Sequence, residues 1–258
     1  MYDIPALEAA LKATIYTGKM HFASVTGSTN SDAMAGARNG AAHGSVYFAD
    51  EQTAGRGRGD HRWESNAGQG LYVSVLLRLA ISAARLPLFP LAAGLAAADA
   101  IRSASGLRVD LRWPNDLLLG SRKTGGILVE SKTEGDMLAF AIVGVGINVH
   151  HRDFDAGLST PATSLDLESD RRIRRQLLLV ALLESLEREA RSLFDSAYAA
   201  VIPKRVEQAS TWIRGRRVEV HGPQACVGIT EGLDENGFLL VRNASGLVRV
   251  QTGGIRSA

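Results

Sequence analysis

The stretch from Leu107 to Val149 constrains the fold more than any other part of this chain. Three runs rich in apolar residues, "LRVDLRW", "DLLLGSRKTGGILVESK" and "MLAFAIVGVGINV", follow one another with only a few residues between them. Connections so short leave no room for a crossover helix, so the strands run antiparallel, and the middle run reads as a hairpin turning at Gly120 and Ser121. Residues 20–26, 44–52 and 70–79 supply further strands. Leu91, Leu95, Ala98 and Ile101 recur at helical spacing, which marks a helix over 87–104 with Gly106 just past its end. A longer helix is expected over 171–198, and a Ser/Thr/Asn start opens a short one after the first strand. Together these give an α+β fold with a mixed, mostly antiparallel sheet and flanking helices.

After Trp212 the texture changes to short strands separated by Gly, Pro and Asn turns with no helical period, which resembles a small SH3-like β-barrel. The expected division is therefore 1–212 and 213–258. Lys and Arg total 29 against 27 acidic residues, so no global basic field exists and any anion binding must be local. Cys226 is the only cysteine, which fits a reducing compartment. The start "MYDIPALEAA" does not read as a signal peptide, and no apolar run reaches the ~18–20 residues of a bilayer span. A cytoplasmic protein without a membrane segment is expected.

Two segments carry candidate chemistry. In "DEQTAGRGRGDHRW" (50–63), glycines alternate with arginines directly after a strand and Trp63 closes the loop. Alternate glycines let the backbone approach a ligand and move, while guanidinium groups suit carboxylate and phosphate. A solvated turn accounts for the loop as well when it is taken alone. In "RWPNDLLLGSRKTGGILVES" (112–131), Asn115 and Asp116 stand at a strand start and Lys123 precedes Gly125 and Gly126 on the returning strand. That arrangement suits a pocket with a charged lip, and equally a plain hairpin with a surface lysine. Gly144, Gly146 and Asn148 follow in "VGVGIN", whose Gly-x-Gly lacks the strand-to-helix setting of a dinucleotide fingerprint. Arg171, Arg172, Arg174 and Arg175 invite a nucleic-acid reading, but no aromatic residues interleave for base stacking, so a solvated face or contact with nearby acids is expected.

In this order, "GSTN", "DEQTAGRGR…W", "RWPNDLLL…RKTGGILVES" and "VGVGINV" resemble the biotin protein ligases, or biotin–[acetyl-CoA-carboxylase] ligases, strongly over residues 20–150 and more loosely beyond. The resemblance implies a fold related to class II aminoacyl-tRNA synthetase catalytic domains. It also implies a two-step reaction with ATP and biotin as substrates and Mg²⁺: formation of biotinyl-5′-AMP, then transfer of biotin to a lysine of a biotin carboxyl carrier domain of acetyl-CoA carboxylase. By the same resemblance Ser28, Thr29 and Gln52 hold biotin's ureido head and Asn30 is a further biotin-binding residue, with Trp63 against the ligand's apolar surface and Gly125 and Gly126 at its ring. Arg56, Gly57 and Arg58 line the activated carboxyl and phosphate, and Lys123 reaches the same region. Arg58, Lys123 and Arg112 are the implied catalytic set, Asn115 and Asn148 lie near ATP, and Asp116 lies near Mg²⁺.

The family pattern is departed from in two places: Arg112 replaces Lys, and Gly59, Asp60 and His61 replace Arg, Gly and Arg, which makes the loop less basic. Only about twenty residues precede the first strand, too few for the winged helix-turn-helix of the repressor forms, so no DNA partner is expected. A homodimer is left open. The alternatives are a lipoate ligase or acyltransferase of the same superfamily and, from another class, a nucleic-acid-binding module.

Overall fold

Residues 2–59 and 61–258 are described by a computed structural model, so Asp60 of the departing loop sequence lies outside the described residues. The chain runs α1 (Ile4–Ala10), β1 (Met20–Thr26), α2 (Thr29–Arg38), β2 (Val46–Gln52), β3 (Gly70–Leu77), α3 (Leu88–Ser105), β4 (Asp110–Arg112), β5 (Asp116–Leu119), β6 (Arg122–Glu134) and β7 (Met137–Asn148). Next come α4 (Leu165–Glu168), α5 (Arg175–Phe194), α6 (Ser196–Ala199) and α7 (Ile202–Gln208), and then β8 (Arg214–His221), β9 (Cys226–Leu233), β10 (Leu239–Asn243), β11 (Gly246–Val250) and β12 (Gly254–Ser257).

The first seven strands form one sheet in the order β1-β2-β3-β7-β6-β5-β4, antiparallel except for β1 against β2. β3 is buried along its whole length. Its register with β7 and β6 sorts the faces. Tyr72, Ser74 and Leu76 share one face with Gly146, Gly144 and Ile142 and with Gly126, Leu128 and Glu130. Val73, Val75, Val143, Val145 and Ile127 lie on the other, within the main core. That second face is covered by α3 and α5. Buried Ala92, Ala93, Ala96, Ala97 and Ala100 of α3 allow close approach, and Leu178, Leu179, Leu182, Leu183 and Leu186 of α5 fill the remaining space. Each such leucine contributes about 1.5–3 kcal/mol on full burial. Gly106 ends α3 at φ 79°, the left-handed position that favours glycine.

On the first face, α2 covers only the end built from Leu76, Phe140 and Ile142. The glycine-lined remainder stays open, and the site lies there. Arg175, the first residue of α5, turns inward: it pairs with Asp50 at 2.8 Å and lies 5.0 Å from the ring of Tyr2. Arg171, Arg172 and Arg174 stay exposed. The arginine run therefore splits into one anchor and a solvated face.

The last five strands form an antiparallel sheet in the order β11-β10-β9-β8-β12. No ladder joins β11 to β12, so the expected small barrel is an open five-stranded sheet. Its unclosed end, from Thr252 to Arg256, turns toward the first sheet and lines the cleft there.

Candidate active site

A cleft of about 710 Å³ opens on the glycine-lined face, walled by the start of α2, the loop after β2, the β4–β5 turn, the segment following β7 and the end of the last sheet. It gathers residues from all four motifs that carry the family resemblance.

One end is a closed polar network. Ser28 caps α2 by position but makes no side-chain capping bond, so its buried hydroxyl is not spent on the helix. Gln52 does that work: its Oε1 accepts from the Thr29 amide at 2.9 Å and the Thr29 hydroxyl at 3.1 Å, and its Nε2 donates to Ser65 at 2.8 Å. The Thr29 and Ser74 hydroxyls lie 2.7 Å apart, and Ser74 donates to Asn30 Oδ1 at 2.6 Å. Asn30 Nδ2 in turn donates to Glu130 at 2.7 Å. Such a buried chain holds together only if each member is satisfied. A Cβ at Gly144 would collide with Asn30 Oδ1, so glycine is what lets α2 approach β7 here.

The other end is cationic. Asp116 sits between Lys123, at 2.5 Å, and Arg112, at 2.6 Å. Burial alone would push the Asp116 carboxyl up, but Lys123 and then Arg112 outweigh it and hold it below the usual carboxylate range. Arg112 also donates to Thr160 at 2.9 Å and lies 5.2 Å from the Trp212 ring, so it is locked in place. Lys123 Nζ lies 5.7 Å from the ring centroid of Trp63. Asn115 spends its side-chain NH₂ on the Ile127 carbonyl at 2.7 Å, and Asn148 spends its own on Thr163 at 3.1 Å.

The loop after β2 folds back on itself. Gly57 donates to His61 at 2.7 Å, Trp63 donates to Gly55 at 3.0 Å, and Arg56 and Arg62 pair as an antiparallel bridge. Arg56 forms an ion pair with Glu130 at 2.9 Å. Arg58 donates to the Gly253 carbonyl and, at 2.9 Å, to Thr252 Oγ1, which ties the loop to the last sheet. Burial pulls the Arg58 guanidinium down and Asp116 opposes that pull; a guanidinium stays charged at neutral pH regardless. Trp63 packs against β7, where a Cβ at Gly146 would stand 2.6 Å from its Nε1.

The two neighbouring glycines of β6 separate. Gly126 faces the cleft near Lys123 and Trp63, whereas Gly125 faces Leu117 and Ile147 on the helix-covered side. The alternation of a strand forbids both from touching one ligand with the same face. Ser65, Ser74 and Glu130 were missed in the sequence; a lone serine in the otherwise apolar "GLYVSVLL" was the available signal for Ser74. His151 was missed too. It is buried against the cleft beside Phe154, and burial, opposed by Glu64 and assisted by His150, holds its imidazole below the usual histidine range.

Asp116 does not fit a resident Mg²⁺ site. Both its oxygens already face cations, and among the described residues no group of three His, Cys, Asp or Glu side chains could hold a metal ion.

The fold is shared with known proteins, and the chain belongs to the biotin/lipoate A/B protein ligase family, whose sequence model matches residues 23–148. It is 32% identical over 250 residues to the bifunctional ligase/repressor BirA of Bacillus spizizenii, covering 95% of this chain and 76% of that one. The biotin–[acetyl-CoA-carboxylase] ligase of Mycobacterium tuberculosis is 33% identical over 242 residues, covering 89% and 85%. Among solved structures, the biotin protein ligase of Aquifex aeolicus in complex with biotin and ATP superposes with a TM-score of 0.78 at 26% identity, covering 93% of this chain and 100% of that one.

Proposed function

We infer that this protein is an ATP-dependent biotin protein ligase. What carries the reading is one cleft that holds a neutral hydrogen-bonding end and a cationic end, in a chain whose relatives include biotin–[acetyl-CoA-carboxylase] ligases. The neutral end, with Ser28, Thr29, Asn30 and Gln52, suits biotin's ureido head, because a buried polar head needs partners. The cationic end, with Arg56, Arg58 and Lys123, suits a carboxylate meeting a triphosphate. Two anions reach reacting distance only where positive charge is already placed.

In the first step a carboxylate oxygen of biotin attacks the α-phosphorus of ATP. The bond to the β-phosphate oxygen breaks, and pyrophosphate leaves with that electron pair. In the second, the amine of a lysine on the biotin carboxyl carrier domain of acetyl-CoA carboxylase attacks the anhydride carbonyl, loses a proton and displaces AMP. No nucleophile of the ligase is required. Arg112 serves by holding Asp116, which in turn aims Lys123, while Asn115 and Asn148 brace the walls beside the nucleotide. We assign catalysis to residues 1–212 and a lip of the cleft to residues 213–258.

Biotin-dependent exchange of labelled pyrophosphate into ATP tests this reading. Exchange is expected with biotin and not with lipoate. Exchange with lipoate alone, or steeply salt-dependent retention on DNA without any exchange, would replace it with one of the alternatives. A narrower test uses Gly144→Ala. The new methyl group displaces Asn30, and the loss of about 1–3 kcal/mol of buried hydrogen bonding raises the KM for biotin roughly tenfold or more with little change for ATP. An unaltered biotin KM would separate Asn30 from the head-group pocket.

A further inference from the structure

Glu130 lies outside the lining of the cleft, yet it touches both of its working parts. One oxygen, Oε2, accepts from Asn30 Nδ2 at 2.7 Å and from Arg56 at 2.9 Å. Arg56 adds a longer contact to Ser31 at 3.4 Å, and Asn30 Nδ2 a longer one to the Leu128 carbonyl at 3.4 Å.

The chemistry of an ionised carboxylate gives this geometry a direction. A carboxylate can only accept, so the Asn30 side chain must present its NH₂ to Glu130 and its carbonyl oxygen to Ser74. Ser74 therefore donates to Asn30 and has only its lone pairs left for Thr29. The Thr29 hydroxyl then donates to Ser74 or to Gln52 Oε1, both acceptors. Its proton is spent inside the protein in either case, so toward the cleft Thr29 offers an acceptor, the match for an N–H of a ureido ring. The other output is mechanical: Arg56 is fixed to β6, and the first limb of the glycine loop is fixed with it.

We propose that Glu130 is a positioning residue that sets the donor direction of the head-group pocket and tethers the arginine loop through the same carboxylate oxygen. The first half of this rests on the ligase reading; the tether does not.

Glu130→Gln removes the acceptor-only group while keeping its size. The proposal expects the KM for biotin in the exchange reaction to rise at least tenfold, while kcat and the KM for ATP stay within about threefold of wild type. Glu130→Asp, which keeps the acceptor charge, should recover part of the biotin affinity. In the absence of any ligand, trypsin should cut after Arg56 several-fold faster in Glu130→Gln than in wild type. An unchanged biotin KM together with unchanged cleavage would overturn the proposal. So would an equal fall in affinity for both substrates with a lowered melting temperature, which marks a merely structural residue. A wild type that neither binds biotin nor supports exchange would overturn the ligase reading and the head-group half with it, whereas the trypsin comparison would still decide the tether.

Discussion

Lys123→Ala is expected to slow formation of biotinyl-5′-AMP by about 10²–10³-fold, the loss typical for one preorganised group facing charge in the transition state. In the proposed reading Lys123 stands where the two anionic reactants meet, and its Nζ is held by Asp116 at 2.5 Å. The strand that carries it does not depend on the side chain. Its backbone donates to Pro161 at 2.8 Å and accepts from Thr163 at 2.9 Å, contacts that alanine keeps. Asp116 also keeps Arg112, so no buried charge is left unpaired and the loss in stability stays near 1 kcal/mol at neutral pH.

Stability at acid pH should move in a definite direction. A carboxyl held below its unfolded value contributes stability above that unfolded value, near 3.9, and loses it as pH falls through the folded one. Without Lys123 the folded value rises, so the variant should unfold at higher pH than wild type. Single-turnover measurement of adenylate formation checks the kinetic effect. A wild-type rate would return Lys123 to an ordinary surface role.

The sequence carried the sheet and the position of the cleft, and particular residues show why it carried no more. β6 and β7 were legible because alternation and a Gly-Ser turn are local signals. Helices α1 and α7 were not, because seven residues give too few repeats to establish a period. "TGGIL" announced close backbone approach without saying which glycine faces the ligand; that choice is made by register, Gly126 opposite Gly146 and Gly125 opposite Ile147. The GRGR loop read as a holder of anions, and both of its arginines are held by protein groups distant in sequence. Arg56 meets Glu130 and Arg58 meets Thr252, across separations of 74 and 194 residues. No local pattern encodes such pairs. The arginine in place of the family lysine keeps the charge and can hardly give up its proton, which is all the sequence says of it. Packed between Asp116, Thr160 and Trp212, it is a planar group filling a planar slot, a place suited to arginine's fixed fork.

Arg58→Gly is expected to keep adenylation measurable and to release the adenylate, so that biotin spreads onto lysines of unrelated proteins about ten- to a hundredfold more than with wild type. That range corresponds to loss of charge-assisted hydrogen bonding of about 1.5–3 kcal/mol. Two causes could produce this result. In the proposed reading Arg58 supplies positive charge beside the activated carboxyl; it also ties the loop to Thr252 and Gly253. Thr252→Val separates them, because it removes the hydroxyl acceptor and leaves both the guanidinium and the Gly253 carbonyl in place. If charge on the adenylate is what retains it, Thr252→Val keeps bystander labelling within about threefold of wild type while Arg58→Gly does not. If the tie is what matters, Thr252→Val, which keeps the Gly253 contact, leaks beyond threefold and part of the way toward Arg58→Gly. Labelling of a bystander protein by Arg58→Gly at the wild-type level, under conditions where adenylate is shown to form, would remove Arg58 from retention of the intermediate altogether and leave it as a strap between the loop and the last sheet.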